Sequence, residues 1–249
     1  MTVARRGPLA TIAAVTAGVV VALATITGCA PTAEPEATAS ATLTSEQADR
    51  LAVTRFRNFD AGIRTIAVTL DDAVSGSLTL DGWFDFSAGA GYAEARDADG
   101  ASLGLVWWTH EAIAVREIPA DELVVPVPTD GWASAQLDPS ATALANALAL
   151  VASLGADRPE NPQLLAQSDA RFLREDELGG SAVTVFLGPS ADDGAPTPEA
   201  ARASYWVDAT GLLLRFENPS TGSGSGGMTV DFTTASTAAV VPLVAPGTP

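Results

Sequence analysis

The sequence predicts an α+β fold: a strongly curved antiparallel sheet, a half-barrel of about nine strands, covered by an N-terminal helix and a mid-chain helical insert. Three observations support this fold class. Most of residues 65–118 and 181–233 alternates apolar with polar side chains, residues 48–59 carry apolar side chains at helical spacing, and residues 142–154 are apolar almost throughout. Because one face of such a sheet must be covered, the two helical segments are the expected cover.

The N-terminal helix begins with a capping box, in which Thr44 is followed three residues later by Gln47. The positions that recur at i, i+3, i+4 and i+7 along this helix are Ala48, Leu51, Ala52, Arg55, Phe56 and Phe59. This spacing predicts one face that packs on the sheet, with two aromatic side chains near its end.

The strands are predicted in two groups. The first lies within residues 65–70, 78–86, 92–95, 103–109 and 112–118, and the Asp97–Gly100 tetrapeptide is a hairpin signal inside it. The second lies within residues 181–187, 204–208, 212–217 and 227–233, with residues 238–244 as a candidate last strand. Residues 170–177 are compatible with a strand or a helix, and a strand is favoured.

The segment between the two groups contains the helical insert. Pro119, Pro126 and Pro128 exclude a regular strand or helix through residues 119–138. Asp138 and Pro139 are predicted as the N-cap and first residue of a helix that runs through the apolar residues 142–154 and stops at Gly155. A shorter helical segment, residues 161–167, follows with Pro162 at its start. A helix that is apolar on all sides is buried on most of them or lies against an apolar ligand.

The N-terminus has the layout of a bacterial lipoprotein signal. Arg5 and Arg6 precede an uncharged apolar run, residues 9–26, and Ile26-Thr27-Gly28-Cys29 matches a lipobox. We therefore expect a signal peptide over residues 1–28 and a diacylglyceryl anchor on Cys29, the only cysteine. A retained transmembrane anchor is the alternative, since the run nearly reaches the length of a spanning helix. The paired arginines leave Sec and twin-arginine export both open.

The remaining composition predicts an exported domain held close to a membrane. Residues 29–43 are rich in Ala, Thr, Pro and Glu and are expected to form a disordered tether, with a single domain over residues 44–245. The chain contains no lysine and its formal net charge is −17, which becomes two units more negative when the signal arginines are removed. Such an acidic chain disfavours nucleic-acid binding and docking on anionic lipid, so the outer face of the cell membrane would be reached through the acyl chains.

One part of the sequence resembles a known family. Residues 205–216, Tyr-Trp-Val-Asp-Ala-Thr-Gly-Leu-Leu-Leu-Arg-Phe, followed by Thr-Val-Asp-Phe at 229–232, are similar to the closing hairpins of LolA-like and LppX/LprG-like bacterial lipoproteins. The order of lipobox, N-terminal helix, strands and mid-chain helices is similar as well. This resemblance implies a half-barrel with a helical lid, an apolar cavity for lipid acyl chains and no catalytic residues.

The residues expected to line such a cavity share an apolar character and a position on the predicted inner face. They are Phe56, Phe84, Phe86, Trp108, Leu144, Leu148, Val151 and Phe186. Plain core packing is the alternative for these side chains. Trp107 and Trp108 are adjacent, so their side chains point to opposite faces of a strand, and one of them must lie outside the inner face or under another element.

The sequence offers no convergent set of catalytic or metal-binding residues. His110, the only histidine, falls in a predicted turn beside Glu111, and one histidine with one lipidated cysteine cannot form a zinc site. We therefore expect a monomeric, non-enzymatic protein without a cofactor that binds or shuttles a lipid or another hydrophobic ligand. The alternative is a non-catalytic interaction or sensory module at the cell surface whose core is filled by its own side chains.

Overall fold

The alternating segments form antiparallel strands, and the computed structural model describes residues 41–72, 76–117, 123–190, 197–219 and 227–233. Within these residues twelve strands form one sheet. In chain order they are β1 (Ala41–Thr42), β2 (Ile63–Asp72), β3 (Gly76–Asp85), β4 (Ala90–Asp97), β5 (Ser102–Thr109), β6 (Ala112–Arg116), β7 (Ala133–Gln136), β8 (Arg171–Leu178), β9 (Ser181–Leu187), β10 (Ser204–Asp208), β11 (Leu213–Asn218) and β12 (Met228–Thr233).

Two runs of hairpins make up the sheet. Strands β2 to β7 pair in chain order, strands β8 to β12 do the same, and β12 pairs with β2 to join the two runs. β1 adds to β8, so β1 and β7 are the two edges of the open sheet that the described strands form. Every pair of neighbouring strands is antiparallel, as the alternation predicted.

The predicted count of about nine strands is too low because two edge strands escape the pattern. β1 has two residues and β7 has four, and all of their side chains are exposed. β1 is too short to show a pattern, and the apolar residues of β7 are only the small, exposed Ala133 and Ala135. β7 also lies inside the proline-rich segment 119–138, where a strand was excluded, and β1 lies inside the predicted tether 29–43. The candidate strand 238–244 falls outside the described residues.

In the part of the chain that the structure describes, four α-helices accompany the sheet. They are α1 (Ser45–Ala52), α2 (Thr54–Ala61), α3 (Ala143–Ser153) and α4 (Pro162–Gln167). The predicted capping box is confirmed, because Gln47 N donates to Thr44 Oγ1 at 3.3 Å and Thr44 N donates to Gln47 Oε1 at 2.9 Å. Asn161 caps α4, with Pro162 in its first turn as predicted.

The predicted N-terminal helix is divided at Val53, and this break changes the face that α2 buries. Thr54 and Asn58 are buried on α2, whereas Phe56 and Phe59 are only half-buried. The predicted aromatic stripe is therefore wrong in its second half. A single straight helix, which the spacing assumed, would have kept Phe56 in line with Leu51 and Ala52.

The start of α3 also differs from the prediction. Its N-cap is Thr142, whose Oγ1 accepts from Ala145 N at 3.0 Å. Asp138 forms a turn instead, accepting from the backbone N and the Oγ of Ser140. Both residues are good N-caps, and the apolar run begins directly after Thr142. Gly155 follows the end of the helix as predicted, and a Cβ there would lie 2.6 Å from Phe86 Cδ1, so close packing requires glycine.

The main core lies between the inner face of the sheet and the helices. Ile66, Val68, Leu80, Phe216 and Val230 contribute from the strands, and α1, α3 and α4 contribute apolar side chains from the other side. A second cluster covers part of the outer face, where Trp107 packs with Tyr92 beneath Leu123, Val124, Val127 and Trp132. The expectation that Trp107 and Trp108 point to opposite faces is therefore confirmed.

A buried arginine joins the helices to the sheet. Arg64 on β2 is 3% exposed, and its Nη1 donates to Asn58 Oδ1 at 2.7 Å and to the carbonyl of Leu213 at 2.6 Å. Asn58 Nδ2 in turn donates to the carbonyl of Leu154, the C-cap of α3. The guanidinium carbon also lies 4.7 Å from the centroid of the Phe232 ring. Burial lowers the pKa of Arg64 to about 10, while nearby Asp208 acts in the opposite direction, so the side chain is charged at neutral pH.

We expect Asn58→Ala to lower the free energy of unfolding by about 2–4 kcal/mol, because it leaves a buried cation and the Leu154 carbonyl each short of a partner. Urea denaturation followed by circular dichroism measures this change. Arg158→Ala, which removes an exposed side chain from a surface pair with Asp157, is the control and should change stability by less than about 0.5 kcal/mol. Equal effects of the two substitutions would contradict the role given to Asn58.

Candidate ligand pocket beneath the helices

Most of the residues predicted to line a cavity meet in the main core. Six of them are 5% exposed or less: Phe84, Phe86, Trp108, Leu148, Val151 and Phe186. Leu144 is partly buried against the same cluster, and Phe56 lies half-buried on α2. The predicted residues are thus brought together, with Phe56 as the exception.

These side chains occupy the interior by contacting one another. The ring centroids of Phe84 and Phe86 are 4.7 Å apart, and those of Phe84 and Trp108 are 5.6 Å apart. The ring centroids of Phe86 and Phe232 are 6.0 Å apart. Gly91, opposite Trp108 on β4, makes room for the indole, since a Cβ at this glycine would lie 2.4 Å from the Trp108 ring. In this state the space between α3 and the middle of the sheet is filled.

One buried polar group in this interior is left without a partner. Trp108 is fully buried, and its Nε1 has no hydrogen-bond acceptor among the described residues. A buried donor without an acceptor costs about 1–3 kcal/mol. The interior therefore contains a donor that an acceptor atom of a ligand would satisfy.

A pocket of about 290 Å³ opens where the helices meet β10 and β11, and we call it the helical pocket. Its apolar lining is Leu51, Leu150, Leu154, Leu165, Pro189, Ala203 and Phe216. Thr54, Arg55, Ser153, Glu160, Tyr205 and Asn218 are its polar members. The pocket combines an apolar floor with a few polar groups, which is typical of small-molecule sites.

The polar rim of the helical pocket is held by contacts between α1–α2 and the segment after α3. Arg55 Nε donates to the carbonyl of Ser153 at 2.8 Å, and its Nη1 lies 3.3 Å from Glu160 Oε1. Backbone bonds from Ala156 N to the Arg55 carbonyl and from Glu160 N to the Ala52 carbonyl reinforce the junction. Both charged side chains remain more than a third exposed, so the ion pair contributes little to stability and its members can be shared with a ligand.

Tyr205 brings a neutral hydroxyl to the same pocket. It lies in register with Phe186 on β9 and Phe216 on β11, and its ring packs edge-on against Phe216 at 5.1 Å between centroids. Burial raises the pKa of Tyr205 to about 12, and the charge of Glu160 acts in the same direction. The hydroxyl therefore stays protonated at physiological pH and can both donate and accept a hydrogen bond.

A second opening lies at the other end of α3. Its volume is about 270 Å³, and its apolar lining comes from Leu70, Leu78, Leu103, Ala143 and Leu144. Leu103 is 53% exposed. Helix α3 therefore covers a filled interior with a small, largely apolar opening at each of its ends.

A pocket of about 430 Å³ at the ends of β8 to β12 has a different character. Acidic side chains line it, namely Asp71, Glu199 and Glu217, together with Arg202. Arg202 is buried and is already bound to the carbonyls of Gly188 and Asp169. The apolar helical pocket is therefore the better candidate for a hydrophobic ligand.

The sequence singled out none of the six polar members of the helical pocket, and Arg55 and Tyr205 show why. Arg55 was visible as the one charged residue within the apolar stripe of the N-terminal helix, a position where a charge is unusual. Tyr205 begins the hairpin sequence at 205–216. Tyr205 and Arg55 line the same pocket because α1 and α2 dock on the sheet, which no local pattern encodes.

The other sequence candidates have structural roles. His110 is exposed in the turn between β5 and β6, as predicted. Asp97 closes the predicted hairpin by accepting from the backbone N of Asp99 and of Ala101. Within the described ranges, no group of three or more His, Cys, Asp or Glu residues is arranged to hold a metal ion. None of the helices described is long and apolar enough to span a membrane.

No protein-family model and no curated protein matches the chain. Among solved structures, an uncharacterized conserved protein from Thermus thermophilus matches 76% of this chain and 86% of its own, at 12% identity and a TM-score of 0.35. A LolA superfamily protein from Nitrosomonas europaea matches 77% of this chain and 92% of its own, at 10% identity and a TM-score of 0.30. MucB, solved in complex with MucA(peri), matches 76% of this chain and 54% of its own, at 16% identity and a TM-score of 0.35.

The LolA-like resemblance of the sequence thus recurs among solved structures. At these TM-scores none of them assigns a ligand or a site to this chain.

Both tyrosines of the chain are expected to ionise only at a pH well above the usual pKa of a tyrosine. Burial raises the pKa of Tyr92 to about 12, as it does for Tyr205, while a tyrosine in an unfolded chain titrates near about 10. Their contribution to stability is therefore complete below about pH 10 and is lost as the pH rises from there toward 12. Ultraviolet titration of native protein should give little tyrosinate at pH 10.5, whereas protein in urea should be more than half ionised. Native tyrosines with a midpoint near pH 10 would contradict this burial.

Proposed function

We propose that this protein is an exported, non-catalytic lipoprotein of the bacterial cell envelope that binds a hydrophobic ligand with a polar head in the helical pocket. The observation that carries the proposal is the arrangement of that pocket. Leucine and phenylalanine side chains form its floor, and Arg55, Glu160 and Tyr205 stand together among its polar members. An apolar chain would lie on the floor, with its head at the polar groups.

The size of the helical pocket limits the length of the chain that it can hold. Ligand sites are commonly about 300–1,000 Å³, and the helical pocket has about 290 Å³. It therefore suits a short chain or the end of a longer one. A longer chain would have to displace α3, whose buried side chains are all apolar and can pack against an acyl chain as well as against the sheet. The unpartnered Nε1 of Trp108 would then have an acceptor within reach, such as an ester carbonyl.

The polar groups indicate the chemistry of the head. Arg55 offers a cation whose present partner, Glu160, is more than a third exposed, and Tyr205 offers a neutral hydroxyl. A carboxylate or phosphate head would be attracted to the guanidinium and could accept from the tyrosine. A fatty acid or an acidic lipid is therefore the ligand class that we propose.

Anchoring through Cys29 forms part of this proposal. The lipobox would direct attachment of a diacylglyceryl group to Cys29, and the residues between Cys29 and Ala41 would be the tether. Two acyl chains give stable membrane attachment. Because the acidic chain would be repelled by anionic headgroups, the anchor would be the means of keeping the domain beside a membrane source of ligand.

A second candidate function is supported by the filled interior. The six buried residues predicted for a cavity belong to one apolar cluster, as the residues of a self-filled core would. An interaction or sensory module that recognises a partner at the cell surface needs no larger hollow. This candidate predicts that no lipid accompanies the protein and that substitutions in the helical pocket leave its activity unchanged.

We expect a fluorescent fatty acid to bind the purified protein and Ala203→Trp to weaken this binding by at least about tenfold, since the indole would fill the helical pocket. Ala201→Trp is the matched control, because Ala201 is exposed two residues away, and it should bind as the wild type does. Displacement titration measures both variants. No saturable binding to the wild type, together with no lipid seen by native mass spectrometry after purification from membranes, would contradict the proposal and favour the second candidate.

The role of Arg55 can be tested separately. Arg55→Gln should weaken dodecanoate by roughly fivefold or more and leave dodecanol nearly unchanged, because only the carboxylate interacts with the guanidinium charge. Arg158→Gln, which removes an exposed arginine outside the pocket, is the control. Equal losses for the acid and the alcohol would contradict an ionic head site while leaving the apolar floor in place.

A further inference from the structure

A cleft of about 330 Å³ lies on the outer face of the sheet, on the opposite side from the helical pocket. We call it the outer cleft, and the lining residues that matter are Thr65, Asp81, Trp83, Glu94 and Arg96. Two rows of side chains cross the strands here. Ala67, Asp81, Glu94 and Leu105 form one row, and Thr65, Trp83, Tyr92 and Trp107 form the next.

The outer cleft contains a buried carboxylate with an unused acceptor. Glu94 is 3% exposed, and its Oε2 accepts from Arg96 Nη2 at 2.8 Å. Its Oε1 is buried without a hydrogen-bond partner among the described residues. Arg96 is held from its other side, since its Nη1 donates to the carbonyl of Gly100. The Glu94–Arg96 pair is thus fixed in place with one oxygen left over, and a buried acceptor of this kind calls for a donor.

The charges around Glu94 favour a positive donor. Asp81 lies directly opposite Glu94 in the β3–β4 pairing, and two like charges at such positions repel each other. With one arginine against two carboxylates, the cleft carries an excess negative charge. A cation bound between the two acids would relieve this repulsion and supply the missing donor.

Trp83 adds a flat aromatic surface in the next row. Its ring is partly buried and packs on Tyr92, with 6.3 Å between centroids and an interplanar angle of 22°. A guanidinium group can donate to the unused Glu94 Oε1 while its plane lies against an aromatic ring. An ammonium ion has no such plane, and an inorganic cation has no N–H to donate.

We propose that the outer cleft binds a guanidinium group, which hydrogen-bonds to Glu94 Oε1, is balanced by Asp81 and lies against Trp83. The group belongs either to a small guanidine or to an arginine of a partner polypeptide. Its site is separate from the helical pocket and does not depend on the function proposed there.

Titration of the full chain with agmatine and with the capped tripeptide acetyl-Gly-Arg-Gly-amide tests this inference, with calorimetry and the Trp83 indole NMR signal as readouts. Saturable binding at millimolar concentration or below is expected, with acetyl-Gly-Lys-Gly-amide weaker than its arginine counterpart. Tighter binding of the peptide would identify a polypeptide source, and tighter binding of agmatine a small-molecule source. Absence of saturable binding for both, or displacement of both by calcium, would overturn the proposal.

Three variants separate the site from a general attraction of cations to an acidic protein. Glu94→Gln keeps the shape and the Arg96 bond, and it should weaken both probes by about tenfold or more. Trp83→Leu should weaken them by roughly threefold to tenfold. Glu111→Gln removes one charge from an exposed turn and should leave affinity within about twofold. Melting curves show whether Glu94→Gln folds. If it does not, Asp81→Asn, which removes the opposing carboxylate, takes its place. Equal affinity of Glu94→Gln and Glu111→Gln would overturn the proposal.

Discussion

The buried guanidinium of Arg64 is the interaction on which the arrangement of helices and sheet depends. Strand β2 joins the two runs of hairpins, and Arg64 projects from its inner face among apolar side chains. It binds Asn58 of α2 and the Leu213 carbonyl of β11, while Asn58 holds the end of α3. A charge in this position is stable only if its donors are satisfied. The network therefore fixes where α2 and α3 meet the sheet.

This constraint also explains the position of the helical pocket. Because the C-terminal end of α3 is held through Leu154, the segment 156–160 passes close to Ala52 and Arg55 and forms the polar rim. The rest of α3 is held by apolar contacts, which, unlike the hydrogen bond to the Leu154 carbonyl, impose no fixed geometry. Dispersion and burial hold α3 to the sheet, and these forces tolerate exchange for another apolar surface. A lid that is fixed at one end and held by apolar contact elsewhere fits a protein that admits a hydrophobic chain.

The sequence predicts the central part of the fold well because its signals are local. β9 and β10 begin and end where the alternation does, and the cap at Thr44 follows from two side chains three residues apart. The incorrect predictions of strands and helix ends have physical reasons. β1 and β7 are short, exposed and contain no large apolar side chain. Val53 interrupts a helix without a proline or glycine, and Thr142 caps α3 although Asp138 is also a suitable N-cap.

The candidate sites were less predictable, because they depend on distant parts of the chain. Phe84, Phe86 and Trp108 were correctly grouped on one face, yet whether they enclose a hollow or fill it depends on how closely α3 approaches. Arg55 and Glu160 meet only because two helices dock. Glu94 and Asp81 are opposed only by the register of β3 and β4. No spacing within one segment encodes such pairs.

Hydrogen exchange of the full chain with and without dodecanoate tests most directly whether a ligand enters between the helices and the sheet. If the proposal is correct, the ligand slows exchange of amides in α1, α2 and α3 and leaves β6 and β7 unchanged, since the helices form the wall of the pocket and neither of these strands lines it. Identical exchange in the two samples, or slowing confined to β6 and β7, would contradict the proposal.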